Sequence, residues 1–536
     1  MKILIIGIDG GTWRILDPLI KEGYMPTLKY LVDNGTRGTL RSTIPPITAP
    51  AWTSFMTGVS PGKHGIFEFN NYDGKYGTYF VNNTHIKYKT IWEILSEFNK
   101  RIISINVPMT YPPFPVNGSL VTGMLTPGTR KIFTHPPELS DTIREKFPDY
   151  RIMTTASIYA IYGLHKFVDE LKKTITKRTA LAKFLMNAET WDVAMVHFQS
   201  SDIIQHFAYH CLDKSHPYYN QNCKDKCAEV YATLDRAIEQ IIQEAEKNGE
   251  VLKIIMSDHG FRSVYKNVAL NALLYKYGFI QVKKSSLSKR AVISIMKLMR
   301  KMDFFNLYRW LLNKNTKHKL KIMANRSTID YSQTRAFSVN GWLYGNIFIN
   351  LKGREPSGIV DEQHYEEVRN EIKEKLEQEI DPETGKRVFR VFEKESLFGK
   401  TDFIEAPDLM IIPEEGYAFS TSSFVKTKKI FRKNRIRADH TGNHEEEGIL
   451  IMEGNIIDKG EKQEANILDL MPTILWTLGL PIPDYAEGRI LKDHFKENFR
   501  EKRPERKIKL DSRRNITEKT FLEDTLKERL ESLGYL

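Results

Sequence analysis

Three apolar segments rich in β-branched residues are each followed by side chains of metal-ligand type, and this pattern limits the fold more than any other feature. The segments and the residues after them are 2–8 with Asp9, 192–198 with Asp202 and His206, and 251–256 with Asp258 and His259. Such strands are typical of a parallel sheet buried on both faces. Ligands in open α/β sheets gather beyond the carboxyl ends of the strands. The sequence therefore predicts an α/β fold with these side chains at one sheet edge.

Each of these residues has an ordinary structural alternative when taken alone. Asp9 is equally well explained as a helix cap, and Asp202 with His206 as a surface ion pair. Residues four apart share one helix face, however, so Asp202 and His206 can also bind one divalent ion together. The agreement of three strand ends favours metal ions over three separate caps.

A single hydroxyl, Thr48, stands at the entrance of a short predicted helix within residues 45–66, P-P-I-T-A-P-A-W-T-S-F-M-T-G-V-S-P-G-K-H-G-I. Proline and glycine punctuate both ends of this segment. An N-cap threonine has the same local pattern. A threonine hydroxyl becomes a competent nucleophile when a metal ion lowers its pKa. Metal ligands elsewhere in the chain would therefore favour a catalytic Thr48 over a cap.

A further apolar strand near residue 450 is preceded by His440 and His444. With the strand-end residues, these histidines form a set of oxygen and nitrogen donors without a thiolate, which suits zinc or manganese. The set is large enough for two ions. Two ions about 4 Å apart support in-line displacement at phosphorus.

The formal net charge of +12 is concentrated in residues 283–326, which contain thirteen basic residues and one acid, Asp303. Such a segment, interleaved with apolar residues, is compatible with a solvated helical hairpin, with an entrance for an anionic substrate, or with peripheral contact to an anionic membrane. Because the rest of the chain is neutral, no specific nucleic-acid binding is expected.

The cysteines, Cys211, Cys223 and Cys227, are odd in number on a chain of 536 residues. This count favours a reducing compartment over a disulfide framework, and no fourth ligand supports a zinc site at Cys223 and Cys227. The apolar run at the N-terminus is too short for a signal peptide, and no run has the length of a membrane span. The expected localisation is cytoplasmic.

The order of the predicted elements indicates a core interrupted by a cap. The expected parts are a first core part at 1–280, an inserted α+β cap at 281–404, a second core part at 405–495, and a charged tail at 496–536. The strand at 408–412 is expected to return the chain to the main sheet. A leucine repeat at 521–533 predicts a docking helix in the tail.

Five motifs in this order resemble the alkaline phosphatase superfamily, and within it the type I phosphodiesterase and nucleotide pyrophosphatase family. They are I-D-G at 8–10, T-A-P at 48–50 with T-G-V-S-P-G-K-H-G-I at 57–66, D-I-I-Q-H at 202–206, S-D-H-G-F at 257–261, and G-N-H-E-E-E-G-I-L at 442–450. The resemblance implies a three-layer α/β core with a mostly parallel central sheet and an inserted cap. Sulfatases of the superfamily are disfavoured, because they need Cys or Ser where this chain has Thr48.

The resemblance also implies a ligand set and a mechanism. One ion would be held by Asp9, Thr48, Asp258 and His259, and the other by Asp202, His206 and His444. His444 is preferred to His440 because it lies in the G-x-H that precedes E-G-I-L. Thr48 would attack phosphorus, and water would hydrolyse the phosphothreonine intermediate.

We therefore expect a two-metal phosphohydrolase that cleaves a phosphodiester or pyrophosphate bond in a small phosphorylated substrate. The alternatives are a phosphomonoesterase or phosphotransferase acting on an anionic or lipid-linked substrate, and a non-catalytic metal-dependent binding protein. Fold and metal ligands do not determine the substrate, because the cap supplies the pocket walls.

Overall fold

The computed structural model describes residues 1–514, apart from 248, 284–328, 340–342, 421–424, 426, 428, 437 and 438. The basic segment, except Lys283, and the helix expected at 521–533 therefore lie outside the described residues.

The described elements alternate between strands and helices through most of the chain. The strands are β1 (Lys2–Ile8), β2 (Thr36–Arg41), β3 (Asn70–Tyr72), β4 (Thr78–Phe80), β5 (Ile102–Ile105), β6 (Gly118–Val121), β7 (Thr134–His135), β8 (Val193–Phe198), β9 (Val251–Met256), β10 (Gly260–Val268), β11 (Ala336–Phe337), β12 (Gly345–Ile349), β13 (Phe389–Glu393), β14 (Leu409–Pro413), β15 (Gly416–Phe419), β16 (Phe431–Lys433), β17 (Gly442–Glu445), β18 (Glu447–Glu453), β19 (Gly460–Glu461), β20 (Ala465–Asn466), β21 (Ile482–Pro483) and β22 (Lys507–Ile508). The α-helices are α1 (Trp13–Lys21), α2 (Pro26–Asn34), α3 (Thr48–Thr57), α4 (Pro61–His64), α5 (Ile91–Glu97), α6 (Leu139–Lys146), α7 (Ser157–Ala188), α8 (Ser200–Leu212), α9 (Lys224–Glu246), α10 (Leu270–Lys276), α11 (Tyr365–Glu377), α12 (Lys394–Phe398), α13 (Leu470–Thr477) and α14 (Glu497–Glu501).

The central sheet has the strand order β19-β2-β18-β9-β1-β8-β5-β6-β7, with β20 paired to β2. The five strands from β9 to β6 in this order are parallel to one another. On one side of them β18 joins antiparallel to β9, and on the other side β7 joins antiparallel to β6. The predicted mostly parallel central sheet is therefore confirmed.

Helices cover both faces of this sheet, which gives three layers. Ile3 and Ile5 of β1 belong to a core that includes Trp52 of α3 and residues of α5 and α13. Leu4 and Ile6, which alternate with them, belong to a second core with residues of α2, α7 and α9. A central parallel strand must bury both faces, and this explains why β1 is apolar without a polar alternation.

A smaller four-stranded sheet, with the order β11-β12-β14-β13, forms the cap together with α11. The expectation that the strand at 408–412 returns to the main sheet is wrong, because β14 pairs antiparallel with both β12 and β13. The position beside β9 in the main sheet is taken by β18 instead. A fully apolar strand fits either buried sheet, so its composition does not show which sheet it joins.

Cys211 and Cys223 form a disulfide, and Cys227 is free and buried. The expectation that the cysteines remain unpaired is therefore not met, because the turn between α8 and α9 brings Cys211 and Cys223 together. Among the described helices, none has the length and apolarity needed to span a bilayer.

Candidate metal centre and nucleophile

The ends of three adjacent strands supply most of the candidate residues. Strand β1 lies between β8 and β9, and Gly7 is in register with both His197 and Met256. Asp9 follows β1 directly, Asp258 lies two residues beyond the end of β9, and α8 starts two residues beyond the end of β8. These side chains therefore lie at one edge of the central sheet.

His444 and Thr48 reach the same edge from elsewhere in the chain. His444 lies on β17, opposite Phe261 of β10. Thr48 is the first residue of α3, whose N-cap is Ile47 and has no side-chain capping bond. Thr48 is therefore not an N-cap, and its buried hydroxyl lies 3.3 Å from His259 Nε2.

The first group of candidate ligands is Asp9, Asp258 and His259, all fully buried. His259 Nε2 lies 3.2 Å from Asp258 Oδ2 and 3.6 Å from Asp9 Oδ1. Neither of these two carboxylate oxygens accepts a hydrogen bond from any residue that the structure describes. Because a buried carboxylate oxygen without a partner is unfavourable, the two oxygens fit a cation placed between them.

The second group is Asp202, His206 and His444. Asp202 Oδ1 lies 3.2 Å from His206 Nε2 and 3.1 Å from His444 Nε2, and the two Nε2 atoms are 3.0 Å apart. The His259 and His444 rings stack with centroids 3.6 Å apart, so the two groups adjoin. The His440 ring centroid lies 4.8 Å from that of His206, beside the second group.

The outer ring nitrogens show which nitrogens of these histidines carry hydrogen. Nδ1 faces a backbone carbonyl in each: Gly442 for His206 at 3.4 Å, Pro46 for His444 at 2.9 Å, and Gly260 for His259 at 3.1 Å. A carbonyl only accepts hydrogen bonds, so Nδ1 is the nitrogen that donates and Nε2 is directed inward in each ring. The Nε2 atoms of His206 and His444 thus face each other and a carboxylate oxygen. Electron-pair donors converge in this way around a cation.

The charges of the first group support the same interpretation. Burial, with the charges of Asp258 and Asp202, raises the pKa of Asp9 well above its usual value, and burial with the Asp202 charge does the same for Asp258. A divalent cation would lower the pKa of these two carboxyls, because it stabilises their charged forms.

Two side chains at the site were not predicted from the sequence, His197 and Trp52. His197 Nε2 lies 2.8 Å from Asp9 Oδ2, and Trp52 Nε1 donates to the same oxygen at 3.3 Å. A Cβ on Gly7 would lie 2.7 Å from the Trp52 ring, so glycine is required there for this approach. A histidine inside an apolar strand could have served as the signal, whereas Trp52 has the pattern of an ordinary core residue.

The seven predicted site residues, Asp9, Thr48, Asp202, His206, Asp258, His259 and His444, therefore lie together at the carboxyl edge of the central sheet. Their donors are oxygens and imidazole nitrogens, which suit divalent ions of the zinc or manganese kind.

Comparisons with known proteins agree with this arrangement. Among solved structures, murine ectonucleotide pyrophosphatase/phosphodiesterase 5 is 13% identical, with a TM-score of 0.50 over 92% of this chain and 100% of that one. Phosphonoacetate hydrolase from Sinorhizobium meliloti 1021, in complex with phosphonoacetate, is 12% identical, with a TM-score of 0.55 over 88% of this chain and 94% of that one. These likenesses show the fold. A comparison with curated proteins found no match.

The family comparison reaches beyond the fold. The profile of type I phosphodiesterases and nucleotide pyrophosphatases matches residues 3–443, which include six of the seven candidate residues and most of the chain. The chain is therefore a phosphoester hydrolase that belongs to the type I phosphodiesterase/nucleotide pyrophosphatase family.

Proposed function

We propose that this protein cleaves phosphodiester or pyrophosphate bonds through a phosphothreonine intermediate on Thr48, with two divalent ions, zinc or manganese, at the site. The observation that carries the proposal is the convergence of the His206 and His444 Nε2 atoms on Asp202 Oδ1. Asp9, Asp258 and His259 form a second cluster, and the Thr48 hydroxyl lies 3.3 Å from His259 Nε2.

The residues present fit the ions by number and chemistry. Asp9, Asp258 and His259, with the Thr48 hydroxyl, would hold one ion, and Asp202, His206 and His444 would hold the other. Bound ions would supply Lewis-acid stabilisation of charge on the phosphoryl oxygens and would lower the pKa of a coordinated hydroxyl.

Thr48 is placed to act as the nucleophile. Its Oγ1 lies 3.3 Å from His259 Nε2, and as the first residue of α3 it lies where the unpaired N–H groups of a helix favour an anion. In the first step the Thr48 oxygen would bond to phosphorus while the bond to the leaving oxygen breaks. The Thr48 proton would be lost to solvent, because His259 Nε2 is engaged with the ion, and the leaving oxygen would take a proton from solvent. In the second step water would attack phosphorus, the bond to Thr48 would break, and the Thr48 oxygen would regain a proton.

The proposal is tested by hydrolysis of bis-p-nitrophenyl phosphate, p-nitrophenyl phosphate and p-nitrophenyl sulfate, with Thr48→Ala and Asp202→Ala beside the wild type. Thr53→Ala is the matched control for the first variant, because Thr53 is also buried on α3 but donates to Ala49 O. Asp235→Ala is the control for the second, because Asp235 is buried but accepts from the α2 residues Thr27 and Leu28.

Turnover of the diester that is lost in Thr48→Ala, in Asp202→Ala and after chelation, but kept in both controls, is the expected result. Preference for the monoester would replace the diesterase proposal by a phosphomonoesterase. Unchanged diester turnover in Thr48→Ala would contradict the threonine intermediate. An inactive variant of murine ectonucleotide pyrophosphatase/phosphodiesterase 5 has been solved in complex with AMP, so nucleotides are the first natural substrates to test.

A phosphotransferase acting on an anionic or lipid-linked substrate is favoured by one observation, the thirteen basic residues between 283 and 326. The phosphothreonine would then pass to an alcohol instead of water. Binding to vesicles with anionic lipid that falls with salt, and is lost when residues 283–326 are deleted, would support this version. Equal binding by the deleted form would contradict it.

A further inference from the structure

The two oxygens of Asp9 have different surroundings. Oδ2 is held by His197 Nε2 at 2.8 Å and by Trp52 Nε1 at 3.3 Å, whereas Oδ1 accepts no hydrogen bond from a described residue and lies 3.6 Å from His259 Nε2. One oxygen is thus fixed by the protein and the other is directed toward the first candidate ion.

His197 contacts Asp9 through Nε2, the ring nitrogen that the candidate ligand histidines direct toward the site. In His259 and His444 the Nδ1 atom faces a backbone carbonyl, so Nε2 is directed inward. In His197 the Nε2 atom lies 2.8 Å from Asp9 Oδ2. An ionised carboxylate only accepts hydrogen bonds, so with an ion at the first group this contact is a hydrogen bond that His197 Nε2 donates.

The His197 ring is held firmly in this orientation. It is 1% exposed, and the Trp52 ring packs against it edge-on with centroids 4.9 Å apart. Its own carbonyl accepts from Arg178 Nη1 at 2.6 Å, and a Cβ on Gly7 would lie 3.3 Å from its Cδ2 atom. A donor fixed on both sides can set the rotation of the carboxylate that it binds.

We propose that His197 is a positioning residue that orients Asp9, so that Oδ1 alone faces the ion held with Asp258 and His259. This inference rests on the proposed function, since it assumes an ion at that group. His197 is not itself a ligand in this proposal, and it affects the ion only through Asp9.

The test measures ion affinity on the full-length protein by competition of Zn²⁺ and Mn²⁺ with a chromophoric chelator, together with kcat and KM for bis-p-nitrophenyl phosphate. The variants are His197→Leu, which removes the donor, His197→Gln, which places an amide N–H near the position of Nε2, and His197→Asn, whose amide is too short to reach Asp9 Oδ2. His494→Leu is the control, because His494 is equally buried and its Nδ1 faces Thr36 Oγ1.

We expect His197→Leu and His197→Asn to lower the affinity of one ion about 10- to 100-fold, the range for loss of an outer partner of a metal ligand, with the second ion unaffected. The value of kcat falls with the occupancy of that ion, KM changes little, and His197→Gln restores most of both losses. If His197→Leu does not fold, the contrast between Gln and Asn decides the same question.

Three results would overturn the inference. Wild-type affinity in His197→Leu or His197→Asn would remove the positioning role, while the proposed function would stand. Loss of one ion in all three variants, Gln included, would make His197 a ligand instead. A wild-type protein that binds no divalent ion would overturn the proposed function itself, and the inference with it.

Discussion

Two buried carboxylate clusters in this protein differ in how completely the chain surrounds them. In the cap, Asp408 is fully buried, and Arg354 donates to both of its oxygens at 2.8 and 2.6 Å. Ile349 N donates to one oxygen and the Tyr365 hydroxyl to the other. At the candidate centre, Asp9 Oδ1 and Asp258 Oδ2 are equally buried but accept no hydrogen bond from the described residues.

The pKa directions follow this difference. Burial would raise the pKa of Asp408, but the Arg354 guanidinium outweighs it and holds the pKa below its usual value. No described cation faces Asp9 and Asp258 in this way, so burial and neighbouring carboxylates raise the pKa of both. In the cap cluster the protein itself supplies partners for both oxygens of Asp408, so this cluster stabilises the fold without an ion. The core cluster has the arrangement of a site completed by a cation, which serves function at the expense of stability.

The largest effect should come from removing a carboxylate at the centre. We predict that Asp258→Asn lowers kcat/KM for the diester at least about a thousandfold, equivalent to about 4 kcal/mol of transition-state stabilisation. The metal-free variant should unfold at no lower a temperature than the metal-free wild type, because an unpartnered buried carboxyl is replaced by a neutral amide. A large loss of stability without loss of turnover would show that Asp258, like Asp408, has a structural role and is not a metal ligand.

The corresponding substitution in the cap, Asp408→Asn, should lower stability and leave turnover nearly unchanged. Asp408→Asn is predicted to lower the free energy of unfolding by about 3 kcal/mol, because it leaves the half-buried Arg354 charge with Glu355 as its remaining close acid. Denaturant unfolding measures this loss. The value of kcat of the folded protein should stay within about twofold of the wild type, since the substitution removes no candidate metal ligand or nucleophile. Loss of turnover with unchanged stability would break the comparison.

Removing the ions should affect one cluster and not the other. With free Zn²⁺ at a hundred times its dissociation constant, the free energy of unfolding of the wild type should rise by about 2.7 kcal/mol per ion over the chelated protein. Asp408→Asn should keep the full metal-dependent rise, whereas Asp258→Asn should lose most of the rise that one of the two ions provides. Thermal unfolding with and without chelator measures both, and an equal increment in Asp258→Asn would contradict the ligand assignment.

The smallest effect concerns Glu68, a half-buried carboxyl outside both clusters that accepts a hydrogen bond from Phe69 N. Burial raises the pKa of Glu68 to about 7 from its ordinary 4.5. The folded state therefore holds a proton that the unfolded state releases between these values, so the contribution of Glu68 to stability is largest below pH 4.5 and declines as pH rises toward 7. Glu68→Gln should remove this slope in unfolding measurements at pH 5 and 7, and an unchanged slope would assign it to other groups.

Local sequence pointed to the residues at strand ends because three such ends agree, although each residue alone has an ordinary structural explanation. It did not identify the role of His197, because a histidine inside a buried strand shows its partner, Asp9, only once the strands are paired. The sheet that β14 joins depends on which strands lie beside it, and the pairing of Cys211 with Cys223 depends on the path of the turn between α8 and α9. The exclusion of Thr48 as an N-cap also needed the structure, since the helix start is shifted by a single residue.

The most direct measurement is the number of divalent ions bound per chain, determined by elemental analysis of full-length protein saturated with Zn²⁺ or Mn²⁺ and then desalted. Two ions in the wild type and in Asp408→Asn, with fewer in Asp258→Asn, is the predicted result. A protein that holds no divalent ion and still hydrolyses the diester would contradict the assignment of the core cluster as a two-metal centre.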